Sequence, residues 1–237
     1  MARFLLLHSP LVGPRTLAPL ADALRRLGHG AAVPDLRASV LASGSDQSTL
    51  RSAGVQAISS MRPHGPLIVS AHSGASAYLP SLAAHLDVAG VVLIDAVLPP
   101  VSGSFLPSAD FRTHIDRLVE PDRFLPPWPQ WWGEQELARL VADPDLRAAI
   151  SHECVRVPID FYDTVIDVPA NWARPWAGYL RLSRAYEPAA SAAAERGWPT
   201  RRRDGGHLDT ASRPDEVADD LIELVAPILG FDADKVQ

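Results

Sequence analysis

Cysteine is nearly absent: Cys154 is the only one in 237 residues, so no internal disulfide can form. A chain without such staples rests on its core, and a lone thiol suits a reducing compartment. No run approaches the roughly 20 apolar residues of a membrane helix. The first apolar stretch, Phe4-Leu5-Leu6-Leu7, is too short for a secretory signal, and no small-residue cleavage site follows it. The expectation is a cytoplasmic protein without a membrane partner. Positive charge is lacking as well. The balance is -6, which argues against nucleic acid as a partner. The one basic cluster, Arg201-Arg202-Arg203, reads as a solvated strand face. Internal repeats are missing, and no pair of histidines has metal-ligand spacing. Neither a metal nor another cofactor is expected, and the expected partner is a small-molecule substrate.

What is present is an ordinary globular composition, 47% hydrophobic and 21% charged. The length suits one large α/β domain, or one with an inserted cap, acting as monomer or homodimer. Residues 4–7 form a continuous apolar run, as in a strand buried on both faces. Apolar residues at 17, 20, 21, 24 and 27 follow helical spacing, and Gly28 and Gly30 stop that helix. Residues 31–36 read as the next strand, 42–48 as a loop, 50–61 as a helix and 63–66 as a turn. A strand over 67–70, a helix over 76–86 and a strand over 89–95 complete a β-α-β-α-β-α-β series. That order implies a parallel sheet with helices on both faces.

The pattern changes over residues 99–172, which hold much of the proline and most of the tryptophan. Residues 111–119, 133–142 and 145–153 read as helices, the last with Asp143 as N-cap and Pro144 at its first position. Residues 123–132 read as irregular and aromatic. The whole segment reads as a mainly helical cap, leaving 1–98 and 173–237 as the core. The sheet resumes over 176–183. A short helix over 189–196, a strand over 198–203 and an amphipathic helix over 214–229 close the chain.

Leu67-Ile68-Val69-Ser70-Ala71-His72-Ser73-Gly74-Ala75-Ser76-Ala77 reads as strand, sharp turn and helix, with Ser73 at the apex. Such a nucleophile elbow strains the backbone and lifts the serine hydroxyl clear of the sheet. Positions two before and two after must be small, and Ala71 and Ala75 are. Later, Asp204-Gly205-Gly206-His207 follows the last expected strand. Elbow and late Gly-Gly-His together resemble the α/β-hydrolase superfamily over residues 3–98 and 175–229.

The resemblance implies Ser73 as nucleophile and His207 as its base. A serine hydroxyl attacks poorly until a base takes its proton. In most of the superfamily the acid follows the strand after the cap, where this chain offers Arg184-Ala185-Tyr186-Glu187, and Glu187 is the only carboxylate. In a second arrangement the acid follows the strand after the elbow helix. That position is Asp95, and Pro99 behind it fits as well. Asp95 is favoured by spacing, with Glu187 as the alternative. The oxyanion would be held by the Gly74 N–H and by a donor after the first strand. That loop reads His8-Ser9-Pro10-Leu11, and Pro10 has no N–H, so the second donor is the Ser9 hydroxyl or Leu11. Trp128, Trp131 and Trp132, near Phe124, either seat the cap or line an apolar pocket. His8 and His72 are expected to be structural.

The leading expectation is a serine hydrolase taking a small, apolar ester, thioester or lactone through an acyl-enzyme. Two others remain: a lyase or isomerase using His207 as base, and a binding protein on a degenerate scaffold.

Overall fold

The computed structural model describes residues 1–37, 47–62, 64–174 and 176–230. Most of the loop expected over 42–48, and Pro63 of the expected turn, lie outside the described residues. In order come β1 (Arg3–Leu7), α1 (Ala18–Arg26), β2 (Gly30–Ala32), α2 (Gln47–Ser59), β3 (Leu67–His72), α3 (Leu79–Ala83) and β4 (Gly90–Ile94). A long segment then carries β5 (Gly103–Phe105), α4 (Ala109–Asp116), β6 (Phe124–Leu125), α5 (Glu134–Leu140), α6 (Pro144–Glu153), β7 (Val157–Pro158) and β8 (Ile166–Val168). The chain finishes with β9 (Ala177–Arg181), α7 (Glu187–Glu195), β10 (Thr200–Arg202), α8 (Asp209–Ser212) and α9 (Pro214–Leu229).

Six of these strands form one sheet in the order β10-β9-β4-β3-β1-β2. Every pairing is parallel, with Leu7 opposite Ala71, His72 opposite Ile94 and Ile94 opposite Leu180. Strand side chains alternate between two apolar layers. Phe4, Leu6, Ile68, Val92 and Leu180 face Leu20 and Leu24 of α1 and Leu221 of α9. Leu5, Leu7, Val69, Val91 and Leu93 face the layer holding Leu79, Leu82 and Ala190. The near-continuous apolar strands are what burial on both faces requires. Among the described residues, no helix is long and apolar enough to cross a membrane.

Several expected elements change shape. β2 stops at Ala32, because Pro34 supplies no ladder N–H. The helix expected over 76–86 is instead a 3₁₀ turn over Ser73–Ala77 followed by the five residues of α3. Pro80 explains the break: it has no N–H to give the Ser76 carbonyl, so an α-helix can only begin around it. Between β4 and β9 the three expected helices are present, and Asp143 caps α6 by accepting from the N–H groups of Asp145 and Leu146. The same segment also carries two small antiparallel pairs, β5 with β8 and β6 with β7. The expectation of a mainly helical segment missed them because strands this short show no readable period.

Arg201-Arg202-Arg203 is a correction of a different kind. All three side chains form ion pairs: Arg201 with Asp220 and Glu223, Arg202 with Glu187, and Arg203 with Glu216 and Asp220. The cluster ties edge strand β10 to α9 rather than merely facing water.

Candidate active site

Parallel strands deliver the ends of β1, β3, β4, β9 and β10 to one edge. The chain winds from β1 to β2 on one side and to β3 on the other, so the loops after β1 and β3 part at a switch point where α/β sheets open a crevice. Ser9 and Ser73 begin those two loops.

Ser73 adopts φ 57°, a left-handed conformation rare outside glycine. The turn that follows β3 forces it, and backbone strain of this kind marks a functional position. Ala71 and Ala75 are fully buried beneath it, which is why both are small. Asp95, directly after β4, also takes a positive φ of 44°.

The Asp95 side chain is wholly buried, yet every lone-pair direction is used. Oδ1 accepts from the N–H groups of Leu182 (2.8 Å) and Ser183 (2.9 Å). Oδ2 accepts from Ser183 Oγ (2.6 Å) and meets His207 Nδ1 at 2.8 Å. Burial pushes the carboxyl up, but the hydrogen bond and charge of His207 and the hydrogen bonds from Ser183 outweigh it and hold Asp95 below its ordinary value. With Asp95 ionised, Nδ1 carries the proton and Nε2 of His207 is left as the acceptor.

Glu187, the alternative acid, is turned elsewhere. Its carboxylate meets Arg181 at 2.8 Å, Arg202 at 3.0 Å and Ser191 at 3.1 Å, and is half exposed.

Two rings lie against His207: His72 at 4.5 Å, tilted by 30°, and Tyr186 stacked at 5.0 Å, tilted by 7°. His72 Nε2 donates to the His207 carbonyl at 2.9 Å, so the residue before the elbow serine also pins the histidine loop. Burial, then the neighbouring His207, pushes the His72 pKa down to about 3, which keeps the ring neutral. His8 is likewise buried and pushed to about 4; its Nε2 accepts from the Leu36 N–H at 3.0 Å and its Nδ1 donates to the Ser9 carbonyl at 2.8 Å. It braces the loop after β1, as expected of a structural residue.

Ser9 is buried, and its Oγ lies 3.3 Å from where a Cβ on Gly74 would stand. A side chain at 74 would press on the Ser9 hydroxyl, so the two loops meet closely here. The Leu11 N–H points at Ser9 Oγ at 3.4 Å. Of the two candidate donors, Leu11 is thus directed at Ser9, whose own proton is free to aim elsewhere.

Ser73, His207, Gly74, Ser9 and Leu11 all border one cavity of about 1220 Å³. Trp128, Trp131 and Trp132 border it too. Trp131 does double duty: it is buried among Ile115, Leu125 and Ile159, and its Nε1 donates to the Pro126 carbonyl at 2.7 Å. Trp132 is 52% exposed and stacks on His114.

Sequence reasoning missed Ser183, Tyr186 and the bond made by His72. Only Tyr186 left a signal, since it falls in the short stretch where the usual acid would be sought.

No family model matches the chain, and no curated protein matches its sequence. Solved structures do match. An extracellular α/β-hydrolase from a Paenibacillus species, described as sharing structural and functional homology with tobacco salicylic acid binding protein 2, superposes with TM-score 0.72 at 16% identity, over 94% of this chain and 99% of that one. A pyrethroid hydrolase from Sphingobium faniae gives 0.68 at 16% identity, over 99% and 100%. A thermophilic esterase from Thermogutta terrifontis gives 0.66 at 17%, over 97% and 91%. At these identities the likeness is one of fold, and the chain has the α/β-hydrolase fold.

Proposed function

We propose that the protein is a serine hydrolase of apolar carboxylic esters, thioesters or lactones, working through an acyl-enzyme at Ser73. One observation carries the reading: a left-handed Ser73 on its elbow shares a cavity with His207, whose Nδ1 is held by the ionised Asp95 at 2.8 Å. In this reading His207 Nε2 takes the Ser73 proton as Oγ attacks the carbonyl carbon. The imidazolium is stabilised by Asp95, which keeps its charge and fixes the tautomer. The Gly74 N–H and the Ser9 hydroxyl hold the oxyanion. His207 then protonates the leaving oxygen, and water enters by the same steps in reverse to release the acid. The aromatic wall supports an apolar substrate, and the volume leaves room for a bulky acyl or alcohol group. Residues 99–172 act as the cap over the core in this proposal.

The test is labelling with a fluorophosphonate followed by mass spectrometry of the elbow peptide. Modification of Ser73, lost in Ser73→Ala, is the expected result; folded protein that resists labelling sinks the acyl-enzyme.

A second reading is favoured by Pro10, which brings no N–H to the loop where an oxyanion donor belongs. A lyase or isomerase built here would need His207 as its base and would leave Ser73 unlabelled.

A further inference from the structure

The chain just after β9 closes on Asp95 with three donors from two adjacent residues. The N–H groups of Leu182 and Ser183 hold Oδ1 at 2.8 and 2.9 Å. The Ser183 hydroxyl donates to Oδ2 at 2.6 Å. His207 Nδ1 meets that same oxygen at 2.8 Å. An ionised carboxylate only accepts, so the hydroxyl proton points at Asp95 and draws charge from the atom that faces the imidazole. The serine mechanism has so far no use for this hydroxyl.

We propose that Ser183 is a positioning residue whose hydroxyl aims Asp95 at His207 and sets how tightly the imidazole keeps its proton. The proposal rests on His207 being the base of the serine mechanism above. One bond has two effects. With Oδ1 held by two N–H groups and Oδ2 by a hydroxyl, the carboxylate is braced against rotation, and Oδ2 stays turned to Nδ1. The hydroxyl also shares the charge of Oδ2. When the Ser73 proton reaches Nε2, the ring becomes positive and Oδ2 stabilises it. An unshared Oδ2 would hold that charge more firmly, and the proton would pass less readily to the leaving oxygen. Sharing the oxygen suits a base that must also give its proton back.

Other titratable groups lie against the pair. His72 ends β3, Tyr179 belongs to β9, and Tyr186 follows it. Burial, then His207, pushes His72 down to about 3, and burial pushes both phenols up, so none of the three changes charge across the neutral range. On the histidine loop, Asp204 is paired with Arg181 and Arg184, and Asp209 accepts from Ser212. Changing Ser183 leaves all of them in place.

Ser183→Ala removes the hydroxyl and keeps both N–H donors. Nitrogen NMR of the imidazole follows protonation of His207 directly, and the pH dependence of fluorophosphonate labelling follows it through Ser73. In Ser183→Ala both midpoints should move up by roughly 0.5–1 pH unit, a part of what a hydrogen bond to a charged group is worth. Ser183→Thr keeps the donor and should titrate with the wild type. If Ser183→Ala melts early, Ser183→Cys fills the space with a weak donor, and its midpoint should move the same way by less. An unmoved His207 midpoint in whichever variant folds overturns the proposal. So does slower labelling without a shift of midpoint, which is what a merely structural serine would give. The nucleophile is judged separately: wild-type protein that never labels at Ser73 sinks the serine mechanism, while the imidazole titration still decides what Ser183 does to His207.

Discussion

A buried carboxylate is costly unless its oxygens are satisfied, and Asp95 meets that demand with four partners. Three of them come from the end of β9, so the strand that would ordinarily carry the acid instead receives it. Asp95→Asn should preserve the bonds from the N–H groups of Leu182 and Ser183 while letting the wrong His207 tautomer form. By analogy with the serine protease triad, kcat should fall about 10⁴-fold, measured on any ester the wild type turns over. Glu187→Gln should leave kcat unchanged, since its partners are Arg181, Arg202 and Ser191. If instead the Glu187 variant loses activity and the Asp95 variant keeps it, the assignment of the acid is reversed. Ser73 and His207 could be singled out in the sequence because each sits in a local pattern of small residues, and the structure brings both to one cavity. Asp95 was legible only as one of two candidates. Its donors lie more than eighty positions away, and no local spacing encodes them.

Edge strands tend to recruit other chains, and charge is one protection against it. β10 is an edge strand, and Arg201 and Arg202 within it and Arg203 directly after it bind carboxylates of α7 and α9. Arg203 and Arg201 share Asp220, a nearly buried carboxylate, whereas Arg202 meets the half-exposed Glu187. Arg203→Ala should cost about 1.5–3 kcal/mol, the range for a hydrogen bond to a charged group, and Arg202→Ala about 0–1 kcal/mol. Urea denaturation midpoints compare them, and equal losses would contradict the distinction. The sheet itself was readable from doubly apolar runs such as Val91-Val92-Leu93-Ile94. Elements set by tertiary contact were not. The pairs β5·β8 and β6·β7 are two or three residues long, and the break at Pro80 was hidden by helical composition on both sides. Arg201-Arg202-Arg203 looked solvated because its acidic partners lie one helix further along the chain or before it.

Across the whole molecule, the aromatic segment between β4 and β9 has two jobs that neighbouring tryptophans divide. Trp131 is buried in an apolar cluster and Trp132 is 52% exposed, yet both border the cavity. Trp131→Ala should destabilise by about 3–5 kcal/mol. Trp132→Ala should leave the melting temperature close to wild type and shift KM among esters of different bulk. Thermal melts and a substrate series separate the two effects, and a stability loss at Trp132 equal to that at Trp131 would show that both rings only seat the segment. That same segment divides the chain's chemistry unevenly. Ser73 and Asp95 precede it, while His207 follows with β9 and β10. A cut in the exposed stretch 101–103 would put the proposed nucleophile and acid on one fragment and the proposed base on the other, each with strands that the shared sheet lacks without its mate. Catalysis by the mixed halves would then be an optical readout of reassembly, making the chain a natural candidate for a two-piece complementation reporter.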